Sequence, residues 1–324
     1  MIVASPSSLY SDLDVRVELN APLAERTWYR AGGCADALVH PRSMEALATL
    51  LRRTHRDGIP VRILGSGANL LVDDDGVDGI VLQLDDAFFE RVQFNADGRQ
   101  ELMRVWGGAG MEPIVMENAR RGLAGVEQMA GIPASLGGAV RMNAGGKFGA
   151  IGDSVEAVAI VTPSGEERVF TANELRFGYR ETNIPAGVVV WAALRVREDD
   201  PVACRNRVKE IFRYKKSTQP MSALSAGCMF RNPTLADGTR ESAGRLIDLA
   251  GLKGLRVGRA FVSEEHGNFL AFDRPTAGAR ACTDDMRRLV ALVRERVLAS
   301  SGIELENEVV FWRRGESAEG GALE

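Results

Sequence analysis

The sequence predicts an α+β protein built from more than one unit, and three observations carry that reading. Glycine, 35 residues of 324, gathers in loops that follow short β-branched runs. Helical periodicity is confined to separate stretches, with strand-like runs between them. The length exceeds what one simple core organises and suits two or three subdomains that need no covalent staples.

Taken in chain order, residues 43–57 place Met44, Leu47, Leu50 and Leu51 at helical spacing and stop at Gly58 and Pro60. Segments 61–64 and 79–84 read as strands, separated by a glycine turn, a short strand and the acidic turn DDDG. The loop GGAG opens a helix with Pro113 in its first turn, an apolar side of Ile114, Val115 and Met116, and Gly122 at its end. A third glycine-rich stretch, GIPASLGGAVRMNAGG, covers 131–146. Strands are expected at 155–161 and 188–196, separated by the turn TPSGE, and a polar, weakly patterned connection over 197–212 marks a boundary.

Beyond that boundary a second module holds a helix near 241–250, closed by Gly251, and a longer one from about 284 to 300. Thr283 suits the cap of the longer helix, Asp284 and Asp285 its first turn, and Met286, Leu289, Val290, Val293 and Val297 form one stripe. The tail from Arg314 has the composition of a disordered segment.

A formal net charge of −4, with both signs mixed along the chain, argues against a nucleic-acid surface, although RYKK at 213–216 could contact an anion. Cys34, Cys204, Cys228 and Cys282 show no CxxC and no partner spacing, which points to a reducing compartment and away from zinc or a disulfide framework. The N-terminus lacks a basic and an apolar leader region, and Val188 to Leu194 is too short to span a bilayer, so a soluble, cytoplasmic protein is expected. The three histidines are far apart, so no metal is expected, and His266 reads as a structural residue or one that supports the site.

GSGAN at 65–69 follows a strand, but Leu70 stands where a dinucleotide fingerprint needs glycine and a strand follows it; no GK[ST] occurs either. Alone it is a tight turn. Three glycine loops together let main-chain N–H groups approach an anion closely, as a phosphate-bearing cofactor requires.

The ordered stretches TWYRAGGCADALVHP (27–41), LGSGANLLV (64–72), GVEQMAGIPASLGGAVRMNAGG (125–146), GYRETN (178–183), QPMSALSAGCMFRNP (219–233), AGRLIDLAGLKGLRVG (243–258), VSEEHGNFLAF (262–272) and GIELENEVVFW (302–312) resemble the UDP-N-acetylenolpyruvoylglucosamine reductase (MurB) family, from about Thr27 to Trp312. The resemblance implies an FAD-binding fold of the vanillyl-alcohol oxidase (PCMH) type over 1–199, with subdomains of about 14–84 and 85–199. It implies a substrate-binding α+β domain over 213–302, a C-terminal strand over 303–313 and a tail over 314–324. The activity implied is NADPH-driven, FAD-dependent reduction of UDP-N-acetylglucosamine enolpyruvate in peptidoglycan precursor synthesis, by a monomer with non-covalent FAD. The short interval between Arg180 and Cys228 looks like the compact subtype, without an extra substrate-covering loop.

On that resemblance Gly65, Ser66, Gly67, Ala68 and Asn69 line the FAD pyrophosphate, and Gly131, Ile132, Gly137, Gly138, Ala139 and Asn143 continue the cofactor wall. The catalytic set falls on Arg180, Cys228 and Glu308, with Gln219, Arg231 and Asn232 toward the substrate. Hydride addition to an enol ether conjugated to a carboxylate builds an enolate, which asks for a cation at the carboxylate and an acid at the adjacent carbon. Arg180 suits the first task because a guanidinium pairs with a carboxylate and stays charged. Glu304, Glu306 and Glu308 alternate on one face that turns apolar at Val310 and Trp312, which singles out Glu308 as the carboxylate passing under cover. Cys228 stands where the family commonly has serine; a free thiol with a reference pKa of about 8.5 is mostly protonated at neutral pH yet far more acidic than an alcohol, so it can give the proton, while a nearby Arg180 is expected to favour thiolate and so raise its susceptibility to oxidation. Cys34, where the family often has proline, reads as packing, and Lys215 and Lys216 as contacts to diphosphate or cofactor, or as solvated charge. The alternatives are another flavin oxidase or dehydrogenase of the same fold and a nucleotide-sugar binding protein without chemistry.

Overall fold

The computed structural model describes residues 9–274 and 282–315. Its first unit comprises β1 (Val15–Pro22), β2 (Cys34–Pro41), α1 (Met44–Arg56), β3 (Val61–Leu64), β4 (Leu70–Val72) and β5 (Val77–Gln83), with a sheet in the order β1-β2-β5-β3. β2, β5 and β3 run parallel. Parallel strands need a crossover, and α1 belongs to it, capped by Ser43 Oγ accepting from Ala46 N–H at 3.2 Å and burying Leu47, Leu50 and Leu51.

The second unit contains β6 (Val92–Phe94), β7 (Leu102–Trp106), α2 (Met111–Arg121), α3 (Leu136–Arg141), β8 (Val155–Val161), β9 (Glu167–Thr171), the hairpin β10 (Phe177–Gly178) and β11 (Glu181–Thr182), and β12 (Val188–Arg195). Its antiparallel sheet has the order β9-β8-β12-β7-β6. Between the two long strands the chain thus makes β9 and a hairpin as well as the TPSGE turn. The third glycine-rich stretch is not all loop: Ser135 Oγ accepts from Gly138 N–H and starts the short helix α3.

The boundary expected over 197–212 is corrected, because Pro201–Thr218 is an 18-residue helix, α4. Asp200 accepts from Ala203 N–H at 2.9 Å and Pro201 sits in the first turn, a start signal that outweighs weak patterning. Only Cys204, Val208, Ile211 and Lys215 face inward, a stripe too narrow to raise the apolar periodicity. Cys204, Val208 and Ile211 join the core of the second unit, so that unit runs on past residue 199.

The third unit holds α5 (Ala243–Leu249), the sheet β13 (Arg256–Val257), β14 (Ala260–Val262) and β15 (Leu270–Phe272), and α6 (Thr283–Ser301). Met286, Leu289, Val290, Val293 and Val297 are all buried. Each such burial contributes about 1.5–3 kcal/mol, against tenths for intrinsic helix propensity, so packing specifies α6. Cys282, not Thr283, occupies the cap position. Thr283 instead pins the helix start to the acidic turn: its Oγ1 accepts from Asp74 N–H at 2.9 Å and donates to Asp73 at 3.1 Å.

Two features tie this unit to the first. Tyr29 is fully buried and meets Phe272 edge-on at 5.8 Å. β16 (Val310–Trp312) lies parallel to β4, with Val310 opposite Leu70. The strand expected over 303–313 is therefore shorter, because the preceding residues bond to the third unit: Arg231 N–H donates to Glu306 O at 2.9 Å and Glu308 N–H to Met229 O at 2.8 Å. Of the expected tail, residues 316–324 lie outside the described residues, while Arg314 is held by Asp36 at 2.8 Å. Among the described residues no helix is long and apolar enough to cross a membrane, and no group of three or more His, Cys, Asp or Glu could hold a metal ion.

Candidate active site

A cleft of about 540 Å³ opens between the second and third units, and Arg180, Cys228 and Glu308 all line it. They come from three separate segments, each fixed by its own hydrogen bonds. Arg180 sits in the turn of the β10–β11 hairpin with φ of 58°, a left-handed conformation that costs a non-glycine residue about 1–2 kcal/mol. Asn143 braces the base of that hairpin: its Nδ2 donates to Gly178 O at 2.6 Å and its Oδ1 accepts from Gly152 N–H at 3.0 Å. Cys228 is followed by Met229 and Phe230, whose N–H groups donate to the main-chain and side-chain oxygens of Asn268 at 2.8 and 2.9 Å. Glu308 is held through its main chain, with Asn69 Nδ2 donating to its carbonyl at 3.1 Å.

The side chains then meet. Arg180 Nε donates to Glu308 Oε1 at 2.5 Å, and both side chains are largely buried. Burial would lower the Arg180 pKa, but the charge and hydrogen bond of Glu308 outweigh it and hold the guanidinium protonated. Burial lifts Glu308 above the usual carboxylate range, with Arg180 and Arg231 opposing. Among the described residues Arg180 gives no other hydrogen bond, so both Nη groups stay available to a ligand carboxylate.

The pull of Arg180 toward a thiolate, expected to raise susceptibility to oxidation, is outweighed at Cys228. Burial first, then the charge of Glu308, push its thiol up to about 12, and Arg180 and Asn268 do not offset them. Cys228 is therefore a thiol at neutral pH, a form poorly disposed to oxidation.

The first glycine loop fits a phosphate-bearing cofactor on an independent observation. Among the described residues no protein acceptor takes the N–H groups of Ser66, Gly67 or Ala68. Gly67 has φ of +65°, and a Cβ there would lie 2.0 Å from Arg26 O, so only glycine allows this turn. Consecutive free N–H groups form the concavity that binds phosphate oxygens. The second and third loops back this one: Ser66 Oγ donates to Pro133 O at 2.7 Å, and Gly137 N–H to Gly107 O at 2.8 Å. Gly137 thus uses its N–H inside the protein and Ala139 faces the second core, whereas Gly138 is exposed.

Of the residues expected near substrate, Asn232 lines the cleft, while Gln219 and Arg231 do not. Arg231 stands close enough to act on Glu308 electrostatically. Lys215 is buried, with Nζ donating to Ala130 O at 2.6 Å, and burial lowers its pKa to about 8. His266 is outside the cleft; its Nδ1 accepts from Asn268 N–H at 3.2 Å and so supports the residue that fixes the Cys228 segment. Sequence reasoning missed Tyr179, Asn268 and Arg240, which also line the cleft. Tyr179 was adjacent to the arginine already singled out in GYRET, whereas nothing local marks Arg240.

Comparisons with known proteins identify the family. The profile described as UDP-N-acetylenolpyruvoylglucosamine reductase, C-terminal domain, matches residues 219–312, and an FAD binding domain profile matches 35–171. The UDP-N-acetylenolpyruvoylglucosamine reductase of Myxococcus xanthus is 42% identical over 90% of this chain and 91% of its own length. That of Moorella thermoacetica is 38% identical over 97% of this chain and 99% of its own. The crystal structure of the enzyme from Thermus caldophilus, 38% identical, superposes with a TM-score of 0.74 over 92% of this chain and 99% of that one. Sequence, domain order and fold thus place the chain in the UDP-N-acetylenolpyruvoylglucosamine reductase family.

Proposed function

We propose that this chain reduces UDP-N-acetylglucosamine enolpyruvate to UDP-N-acetylmuramate with NADPH and non-covalently bound FAD, using Arg180, Cys228 and Glu308. The observation that carries the reading is the Arg180–Glu308 pair at 2.5 Å lining one cleft with a protonated thiol, from segments 128 residues apart. The free N–H groups of Ser66, Gly67 and Ala68 would hold the FAD pyrophosphate, with Asn69 linking that loop to the Glu308 segment. Bound FAD supplies hydride transfer between NADPH and substrate.

The chain's own residues do the rest. The Nη groups of Arg180 bind the enolpyruvyl carboxylate, and their interaction strengthens as charge builds there. Glu308 orients Arg180 through Nε and, adding its charge to the effect of burial, helps keep Cys228 protonated. Cys228 Sγ–H gives its proton to the ether-bearing carbon, a carbanionic centre far more basic than a thiolate, and then regains one from solvent. Asn232 lies on the substrate side of the cleft. Assembly of the cleft within one chain supports a monomer, and four cysteines free of disulfides support a cytoplasmic setting.

The test is NADPH oxidation by the purified, FAD-loaded chain. Acceleration by the enolpyruvyl UDP-sugar is expected. Oxidation indifferent to that sugar would favour an oxidase of the same fold, and failure to bind flavin would remove the reading.

A further inference from the structure

We propose that Lys147 and Arg240 form a clamp for the substrate's diphosphate, each cation held by an aromatic ring instead of a carboxylate. The inference deepens the reading of the cleft as a UDP-sugar site and rests on it. Lys147 belongs to the short turn between Gly146 and Gly149, in the second unit. Its Nζ stands 4.3 Å from the centroid of the Tyr214 ring and 5.9 Å from that of Phe148, and the two rings pack edge-on at 5.4 Å. Arg240 belongs to the third unit, at the end of a hairpin whose Thr234 and Arg240 are bridged. Its guanidinium carbon lies 4.0 Å over the ring of Tyr179, whose hydroxyl oxygen accepts from Asn232 N–H at 3.2 Å.

Both cations line the cleft, and among the described residues neither has an acidic partner. The difference between a ring and a carboxylate is physical. A carboxylate neutralises the cation it positions, whereas an aromatic face positions it and leaves the charge and most of the N–H donors free. The cleft lining carries three cations, Lys147, Arg180 and Arg240, and one anion, Glu308, which Arg180 already pairs. The two charges left over match the two of a diphosphate diester. Arg180 also lies over the Tyr179 ring, at 5.3 Å, so the guanidinium carbons of Arg180 and Arg240 are no further apart than the sum of their distances to that ring. Within that limit there is room for a ligand whose carboxylate and diphosphate are separated by one sugar ring. Arg180 then takes the carboxylate while Arg240 and Lys147 take the diphosphate.

The experiment uses the full FAD-loaded chain and its R240Q, K147Q and K209Q variants, with Lys209 as an exposed α4 lysine outside the cleft. UDP and inorganic pyrophosphate are titrated by calorimetry, and KM and kcat are measured for the enolpyruvyl UDP-sugar. R240Q and K147Q should each weaken UDP binding and raise KM about 10-fold or more, the effect of losing a charge-assisted hydrogen bond. In both variants kcat at saturation and bleaching of the flavin by NADPH should match the parent, as should every value for K209Q. Tyr214→Ala should raise KM as K147Q does and Tyr214→Phe should not, since the ring holds the lysine. Unchanged UDP affinity in R240Q and K147Q overturns the clamp whether or not the parent turns over. A parent that binds UDP through these residues yet ignores the enolpyruvyl sugar keeps the clamp and overturns the proposed reaction instead.

Discussion

Two arginine–glutamate pairs in this molecule look alike in sequence and differ in what surrounds them. Arg207 donates through Nε to Glu127 at 2.9 Å, through Nη2 to Asp199 at 2.7 Å and toward Cys204 Sγ at 3.2 Å, while Glu127 also accepts from Gly125 N–H at 2.6 Å. That pair closes on itself and fastens α4 to the loop that precedes the third glycine stretch. Among the described residues Arg180 donates a hydrogen bond to Glu308 alone, and it lines a cleft. A pair whose valences are filled by protein holds the fold together, and a pair with open valences waits for a ligand.

The comparison sharpens into measurable differences, the largest at the thiol that the open pair controls. Cys228→Ala should slow turnover of the enolpyruvyl substrate by about 10²–10⁴-fold, the usual worth of a positioned general acid. Cys228→Ser should keep substantial activity. Arg180→Lys should lower kcat by about 10²–10³-fold, because a point charge replaces an oriented fork of donors at the developing enolate. Arg207→Lys should leave kcat near the parent value, and equal losses in the two variants would dissolve the distinction between the pairs.

Stability should reverse the order. Arg207→Ala leaves the buried Glu127 carboxylate without its cation and should cost about 1–3 kcal/mol in denaturant unfolding. Arg180→Ala should cost less, since Glu308 lines the cleft and already sits above the usual carboxylate range, where it can accept a proton.

The pH profile is the subtlest test. Because burial raises Glu308, activity should begin to fall at a higher pH than an ordinary carboxylate would give as the solution is acidified, and Glu308→Gln should remove that limb. Because Cys228 is pushed up to about 12, no alkaline loss should arise from it up to about pH 10, where an ordinary thiol would already be ionised. An alkaline limb near about pH 8.5 that disappears in Cys228→Ser would contradict the burial assigned to this thiol.

Much of this was legible in the sequence, for reasons that differ by region. α6 announced itself because Met286, Leu289, Val290, Val293 and Val297 make a broad stripe between acidic residues and Gly302. α4 did not, since its inward face is four residues with a cysteine and a lysine among them. Glu308 was readable from the change in its strand-like face, while its partner Arg180 was readable only through a motif, because a left-handed turn arginine carries no local signal. A mostly protonated Cys228 follows from its ordinary thiol range, but how firmly the fold holds that proton could not be read. Arg180 alone argues for thiolate, and only the fold brings the burial and the Glu308 charge that outweigh it. Arg240 stayed invisible for the same reason, its meaning residing in a ring 61 residues away.

The most direct test of the account is rapid mixing of FAD-loaded Cys228→Ala and parent, first with NADPH and then with the enolpyruvyl UDP-sugar, following flavin absorbance. The account predicts the same bleaching rate with NADPH in both proteins, and a recovery of colour with the sugar that is slowed strongly in the alanine variant and largely restored in Cys228→Ser. Recovery in the alanine variant as fast as in the parent would contradict the assignment of the proton to Cys228.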